Sequence, residues 1–264
     1  MKKTQKIFIF LSLIAVTVIS GCSGFNKILK SEDTDLVYDS AMEYYKRGDY
    51  ARALQLFDKI IVMVKGTEKE EPLSYYYAQC YYNQKNYFLA NYYFRSYHKK
   101  FPYSERAEEC FFLAALCKYK ESSTYSLDPT PTTEAISEIQ SFINLYPNSE
   151  RVEECNGYID ELRAKLEKKD YEIAMMYFRM SEYKAAIVCF ENILQDFPDT
   201  KKREEIYFNI ITSKYEYAKN SIFEKRAERY KEVVDFYYKF ETTFPESIYL
   251  EKAKEYYNLA KKQI

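Results

Sequence analysis

Four aromatic–proline pairs divide most of this chain into segments of similar length. The pairs are Phe101-Pro102, Tyr146-Pro147, Phe197-Pro198 and Phe244-Pro245. Their prolines lie 45, 51 and 47 residues apart. Proline cannot continue a helix, and it disfavours helical backbone in the residue before it. Each pair therefore predicts the end of one helix, and the Ser or Thr two residues after each proline is predicted to cap the next helix.

A second pattern precedes each proline, at positions fifteen, twelve and eight residues before it. The first position holds Tyr87, Thr132, Tyr183 and Tyr230; the second holds Ala90, Ala135, Ala186 and Val233; the third holds Phe94, Ile139, Phe190 and Tyr237. Spacings of three and four place these residues on one stripe of a helix. The small residue in the middle indicates that a neighbouring helix approaches closely.

Three copies of this stripe follow an Ala-x-x-Tyr segment, which begins at Ala41, Ala78 and Ala174. The combined string resembles the tetratricopeptide repeat, in which two antiparallel helices form each unit. Two further copies, around 103–147 and 200–245, keep the second helix and alter the first. The sequence thus predicts an all-α fold, an α-solenoid of about five tetratricopeptide-like helical hairpins.

Two irregularities interrupt the repeats. Residues 121–133 contain several Ser, Thr and Pro residues, which predicts a loop between the helices of the third repeat. From Ser149 to Met180 no proline occurs and only one glycine, which predicts a long mid-chain helix. We place the N-terminal repeats 1–3 at 35–147, and the long helix with C-terminal repeats 4–5 at 148–264.

The N-terminus differs from the repeats. Three lysines precede an apolar run that is too short to cross a bilayer comfortably, which is typical of a secretory signal. The run ends in Ile19-Ser20-Gly21-Cys22, a lipobox. We predict a lipoprotein signal peptide at 1–21, lipid (palmitate) attachment at Cys22 and a lipidated tether at 22–34. The alternative is an ordinary signal peptide with a chance cysteine.

Five cysteines follow the lipobox. They are Cys80, Cys110, Cys117, Cys155 and Cys189. Because their number is odd, they cannot all pair within one chain, and Cys110 and Cys155 each lie eight residues after a repeat proline. We interpret the five as packing residues, with one structural disulfide as the open alternative.

No pattern indicates catalysis, a cofactor or a metal. The chain lacks a GxSxG elbow, a Walker loop, an HExxH motif and any CxxC pair. Its one histidine, His98, is predicted to be a cation near a helix C-terminus. Carboxylate pairs such as Glu108-Glu109 are predicted to lie in first turns of helices, where they stabilise the helix dipole. The net charge of -1 gives no indication of nucleic acid.

The chain has 30 tyrosines, and some of them lie beside the core positions of the first helices. Tyr38 and Tyr45 in the first repeat and Tyr75 and Tyr82 in the second are candidates for a peptide groove. Tyrosine offers a rigid contact area with a hydrogen-bonding tip, which suits peptide recognition. The alternative is that these side chains pack against the tether or face water.

The lipobox, the repeats and the central irregularities together resemble the BamD family of outer-membrane β-barrel assembly lipoproteins. A loop with Ser122-Ser123 and Asp128-Pro129 leads through a helix to Tyr146-Pro147-Asn148-Ser149, as in the family's third repeat. The long helix with Tyr171-Glu172-x-Ala174, followed by Phe197-Pro198-Asp199-Thr200, is similar to the family's fourth repeat.

This resemblance implies a non-enzymatic scaffold, lipid-anchored at the periplasmic face of the outer membrane. The implied partners are unfolded outer-membrane proteins and the barrel-forming, BamA-like assembly protein through its periplasmic domains, with accessory lipoproteins as further candidates. In that family the N-terminal repeats are associated with precursor binding and the C-terminal repeats with the assembly protein.

Two other functions stay open. One is an envelope scaffold lipoprotein that coordinates cell division or peptidoglycan synthesis. The other is a glycan-capturing lipoprotein, although such proteins usually bind sugars on tryptophan platforms and this chain has no tryptophan.

Overall fold

The computed structural model describes residues 24–264, and all regular secondary structure in that range is helical. Residues 24–30 lie in α1. The following helices are α2 (Thr34–Lys46), α3 (Tyr50–Ile60), α4 (Glu70–Asn83), α5 (Tyr87–Lys100), α6 (Ala107–Glu121), α7 (Thr130–Leu145), α8 (Val152–Arg179), α9 (Tyr183–Asp196), α10 (Arg203–Lys219), α11 (Phe223–Thr243) and α12 (Leu250–Lys261). The predicted long helix is confirmed as α8, which has 28 residues.

Consecutive helices from α2 to α11 form five hairpins of the tetratricopeptide type, which confirms the predicted fold class. The second helix of one hairpin packs against the first helix of the next in three places, α3 against α4, α5 against α6 and α9 against α10. The last helix, α12, packs against both helices of the fifth hairpin. We refer below to the two helices of each hairpin as helix A and helix B.

The periodic stripe forms the core of each hairpin, as the sequence predicts. Its small residues, Ala90, Ala135, Ala186 and Val233, have no exposed surface. Its large residues, Phe94, Ile139, Phe190 and Tyr237, are at most 2% exposed. A residue without a bulky side chain lets the axes of two helices approach, and the large residue one turn later fills the space beside them.

The described residues form two compact units. Unit 1 contains residues 24–123 and 130–159, and unit 2 contains residues 124–129 and 160–264. The division falls within α8. In unit 2, the Nζ atom of Lys169 in α8 donates a hydrogen bond to the carbonyl oxygen of Leu127 at 2.7 Å.

The loop of the third repeat is shorter than predicted. Helix α6 continues to Glu121, and α7 begins at Thr130, so the loop spans 122–129 rather than 121–133. Pro131 lies in the first turn of α7, where a helix tolerates proline because the first amide groups have no partner within the helix.

The Ser or Thr two residues after each proline, which was predicted to cap a helix, has a different role. Helix α6 begins at Ala107, so Ser104 lies before the cap position, and the prediction of a cap is wrong. The Ser104 hydroxyl accepts a hydrogen bond from the backbone N–H of Arg106 at 3.1 Å and donates one to Glu71 at 2.6 Å. Glu71 lies in the first turn of α4, so the hydroxyl links one repeat to the helix A of the repeat before it.

The same link occurs four times, and we call it the hydroxyl–glutamate link. The pairs are Ser104–Glu71, Ser149–Glu108, Thr200–Glu167 and Ser247–Glu204, at 2.5 to 2.6 Å. Because a carboxylate is the acceptor, these hydrogen bonds are of the stronger, charge-assisted kind.

The turn between helix A and helix B repeats in the first, second and fourth hairpins. Its central residue is Gly48, Lys85 or Ser181, with φ of 78°, 61° and 63°. In the fourth hairpin the N–H of Glu182 bonds to the carbonyl of Tyr177 at 3.0 Å, which closes a Schellman-type helix end. Only glycine adopts this left-handed backbone without steric cost.

Replacing Ser181 with glycine is therefore expected to stabilise the protein by about 0.5–1 kcal/mol. Urea denaturation followed by circular dichroism measures the change. Ser181→Ala is the matched control, since alanine retains the Cβ atom that makes the left-handed conformation unfavourable. An equal gain in both variants would contradict the explanation by backbone strain.

All five cysteines are free thiols, and Cys80, Cys110, Cys117 and Cys155 are buried. This confirms their interpretation as packing residues. Burial raises the pKa of the Cys80 thiol to about 12, so the thiol stays protonated at neutral pH.

Candidate peptide-binding face

Three of the four tyrosines predicted to line a groove lie together in unit 1, around a fifth ring that the sequence analysis did not single out. The Tyr45 ring lies 4.9 Å from that of Tyr76, and the Tyr75 ring lies 5.3 Å from it, both edge to face. Tyr38 packs, like Tyr45 and Tyr76, against the buried core of the first repeat, and its pKa is raised by burial and by the neighbouring Tyr76. We call Tyr38, Tyr45, Tyr75 and Tyr76 the tyrosine cluster.

The cluster lies on the A helices of the first two repeats, and each of its rings is half-buried. A ring in this state has fixed orientation and keeps part of its surface for contact. Edge-to-face packing stabilises the arrangement beyond the area it buries.

Tyr82 does not join the cluster. Its ring lies 5.7 Å from Tyr87 and 6.2 Å from Phe94, and it packs in the core between the second and third repeats. Tyr45 makes the corresponding contact with Tyr50 at 5.7 Å, but it also contacts Tyr76. Tyr45 and Tyr82 therefore occupy the same position in their repeats but have different neighbours.

Arg106 places a positive charge beside the cluster. Its guanidinium carbon lies 4.8 Å from the centre of the Tyr75 ring and 5.9 Å from that of Tyr76. The Tyr75 hydroxyl donates to Glu109 at 2.9 Å and accepts from Gln79 at 3.0 Å. Burial, with a contribution from Glu109, raises the pKa of Tyr75, and burial raises that of Tyr45 to about 12, so both phenols remain neutral donors.

A partner on the ring that corresponds to Tyr75 recurs in every repeat, and it is a basic residue in the first four; it was not predicted from the sequence. Lys69 lies 5.1 Å from the Tyr38 ring, Arg106 4.8 Å from Tyr75, Arg151 4.3 Å from Phe112 and Lys202 3.9 Å from Tyr171, and the Tyr249 ring stacks on Phe208 at 4.8 Å. The partner of the ring is always the second residue after a Ser or Thr. A basic residue at that offset in four of five repeats was the signal available in the sequence.

His98 takes no part in this face, and its predicted positive charge is wrong. Burial lowers its pKa, with a contribution from Arg95, so the ring is neutral at neutral pH. The ring stacks on Phe111 at 4.5 Å, and Nε2 lies 3.0 Å from the Tyr146 hydroxyl oxygen.

Carboxylates of the predicted pairs accept structural hydrogen bonds, as Glu108 does from Ser149 at 2.6 Å.

Neither a metal centre nor a membrane-spanning helix occurs in the described range. Within residues 24–264 no three His, Cys, Asp or Glu side chains are grouped to hold a metal ion. No helix in that range combines the length and the apolar character needed to cross a bilayer. The predicted lipid-attachment residue, Cys22, lies outside the described residues.

Curated proteins with similar sequences carry one name. Outer membrane protein assembly factor BamD of Pasteurella multocida is 22% identical over 212 residues, which cover 76% of this chain and 80% of that protein. BamD of Caulobacter vibrioides is 19% identical, over 76% of this chain and 67% of its own length. A putative BamD of Aquifex aeolicus is 25% identical, over 84% and 72%.

A family model matches most of the helical region. Its description is YfiO, outer membrane lipoprotein, and the match covers residues 30–230, from the end of α1 into α11. That range includes the tyrosine cluster and four of the five ring–partner pairs. The chain therefore belongs to the YfiO family of outer membrane lipoproteins.

Proposed function

We propose that this chain is a non-enzymatic scaffold for the assembly of outer-membrane β-barrel proteins. In this function unit 1 binds unfolded barrel precursors, and unit 2 binds the barrel-forming, BamA-like assembly protein. The tyrosine cluster is the observation that carries the proposal. Membership of the family and the name shared by the relatives, outer membrane protein assembly factor, support it.

The cluster suits an extended, aromatic-bearing segment. Barrel strands alternate apolar and polar side chains, so an unfolded strand presents apolar side chains at every second residue, with aromatic rings near its ends. Four half-buried tyrosines give such rings rigid partners, because tyrosine loses little side-chain entropy on binding. Arg106 has no carboxylate within ion-pair distance among the described residues, so its guanidinium remains available to peptide carbonyl groups or carboxylates.

Unit 2 presents an exposed apolar pair in the turn between α10 and α11. Ile222 is 67% exposed and Phe223 is 83% exposed. Arg226 donates to the Ser221 carbonyl at 2.8 Å, and Arg229 donates to the Ser221 hydroxyl, so the residue before the pair is fixed. Two large apolar side chains held in solvent favour a protein contact at this turn.

The proposed anchor is the acylated Cys22, which places the chain at the periplasmic face of the outer membrane. An anchor confines the scaffold and its membrane-embedded partner to one surface, which raises their effective concentration. Accessory lipoproteins of the same membrane are further candidate partners.

Crosslinked purification from native membranes tests both contacts. The double variant Tyr38→Ala/Tyr45→Ala is expected to lower the recovery of barrel precursors at least tenfold, because two tyrosines that contribute about 1 kcal/mol each to an interface together change its affinity about thirtyfold. Recovery of the assembly protein should not change. The variant Ile222→Asn/Phe223→Ser should lower the recovery of the assembly protein and leave that of the precursors unchanged. Quantitative mass spectrometry measures both recoveries.

Tyr103→Ala is the control for the first variant, because Tyr103 is fully exposed and lies outside the cluster. Circular dichroism establishes that each variant is folded. Unchanged precursor recovery in the folded double variant would reject the cluster as the binding face. Division proteins or sugar transporters as the dominant partners of the wild-type protein would reject the proposed function.

A further inference from the structure

Helix α1 is fixed to the first repeat. Phe25 is 8% exposed, and its ring packs edge to face on Tyr44 at 5.5 Å. The guanidinium of Arg52 lies 5.6 Å from the same ring. At the other end of α1, Lys59 donates to the carbonyl of Leu29 at 2.7 Å and to that of Ser31. From Phe25 onward the chain is therefore part of the folded repeat.

This packing limits how far the protein can be from its proposed anchor. Cys22 precedes Phe25 by three residues, and three extended residues span about 10 Å. Tyr44 and Arg52, which hold Phe25, flank the turn between α2 and α3. The acyl chains of Cys22 would therefore enter the membrane close to this edge of unit 1.

The same edge carries lysines without ion-pair partners. The A helices of successive repeats end at one edge of a hairpin stack, and Lys46, Lys85 and Lys120 lie at or near the ends of α2, α4 and α6. Together with Lys27 of α1 they are exposed, and none has a carboxylate within 4.0 Å among the described residues. We call these four residues the lysine edge.

Most acidic side chains at this edge already have a basic partner. Glu43 pairs with Arg47 at 3.0 Å, Asp49 pairs with Arg52 at 2.9 Å, and Lys118 lies 3.5 Å from Glu121 and 3.0 Å from Glu134. Because Glu121 and Glu134 share one lysine, one of these carboxylates is offset by the lysine edge, and the remaining lysines give an excess of positive charge. Basic residues next to a membrane attachment point are attracted to anionic headgroups.

We propose that the lysine edge lies against the phosphate-bearing headgroups of the membrane that holds the acyl chains of Cys22. The inference rests on the anchor named under the proposed function. The short connection sets the distance, and the lysines select which edge of unit 1 faces the lipid. The opposite edge then faces away from the membrane, because helix α5 extends about 20 Å from one edge to the other.

Acetylation footprinting of the acylated, full-length protein tests this orientation. The protein is reconstituted into vesicles of phosphatidylethanolamine and phosphatidylglycerol, and each lysine is followed by mass spectrometry under single-hit conditions. Lys46, Lys85 and Lys120 are expected to react about fivefold more slowly than in detergent, the factor that corresponds to about 1 kcal/mol per lysine at an anionic surface. Lys65 and Lys99, at the opposite edge, serve as internal controls and should keep their rates.

Three results would overturn the proposal. Equal protection of both edges would show that unit 1 has no fixed orientation. No protection at either edge, in protein that floats with the vesicles, would show that the anchor holds while the lysine edge does not contact lipid. Failure of the protein to float would reject the Cys22 anchor itself. Loss of the difference in vesicles of phosphatidylcholine alone would support the role of anionic headgroups.

Discussion

Replacing Phe94 with alanine is expected to lower the free energy of unfolding by about 3–5 kcal/mol. Phe94 has no exposed surface and packs in the core shared by the second and third repeats, beside Ala90 and Cys110. Alanine would leave a cavity there, because the surrounding A and B helices are held by their own contacts and cannot collapse into it. Urea denaturation monitored by circular dichroism and tyrosine fluorescence measures the loss.

Phe88→Ala is the matched control on the same helix. Phe88 is 68% exposed, so its truncation should change stability by about 0.5 kcal/mol or less. In a repeat array each repeat is stabilised by its neighbours. In the Phe94 variant the helices of unit 1 should therefore unfold at a lower urea concentration than those of unit 2. Equal effects of the two substitutions would contradict the assignment of Phe94 to the core.

Replacing Cys22 with serine is expected to abolish acylation and to remove the protein from the outer-membrane fraction. Serine has no thiol to receive the diacylglyceryl group, and none of the described helices is long and apolar enough to cross a membrane. Metabolic labelling with a radioactive fatty acid and fractionation of membranes measure the two effects. The expected change is complete, because the proposed anchor consists of this one residue.

Cys189→Ser is the control for this experiment. Cys189 is a half-buried free thiol in unit 2, and its replacement should leave labelling and location unchanged. Fatty-acid label that persists in Cys22→Ser would place the acyl group elsewhere and reject the lipobox assignment.

The core of this fold could be predicted from sequence because it depends on periodicity. A small residue such as Ala186 and a large one such as Phe190, four residues later, identify the buried stripe of a helix without knowledge of its neighbours. The long helix α8 was predictable for the same reason, since no residue within it interrupts helical backbone. The ends of α8 depend on local backbone geometry, so they were predicted less accurately than its existence.

The surroundings of the tyrosines could not be predicted in the same way. Tyr45 and Tyr82 hold equivalent positions, but only Tyr45 has an aromatic neighbour on the next helix A, Tyr76. Which ring meets another depends on residues about 30 positions away, and the alternation along one helix carries no information about them. The hydroxyl–glutamate link escaped prediction because Ser and Thr favour helix caps as well as turns.

The hydroxyl–glutamate link also determines where this architecture can change in length. Its partners are 33 residues apart in two copies, but 41 and 43 residues apart in the other two. The extra residues belong to the 122–129 loop and to the longer helices α10 and α11. The bonded atoms nevertheless meet at the same distance. Insertions at the junction of helix A and helix B therefore leave the contact between repeats intact, which makes that junction the site where relatives can diverge in length and where a reporter sequence can be introduced.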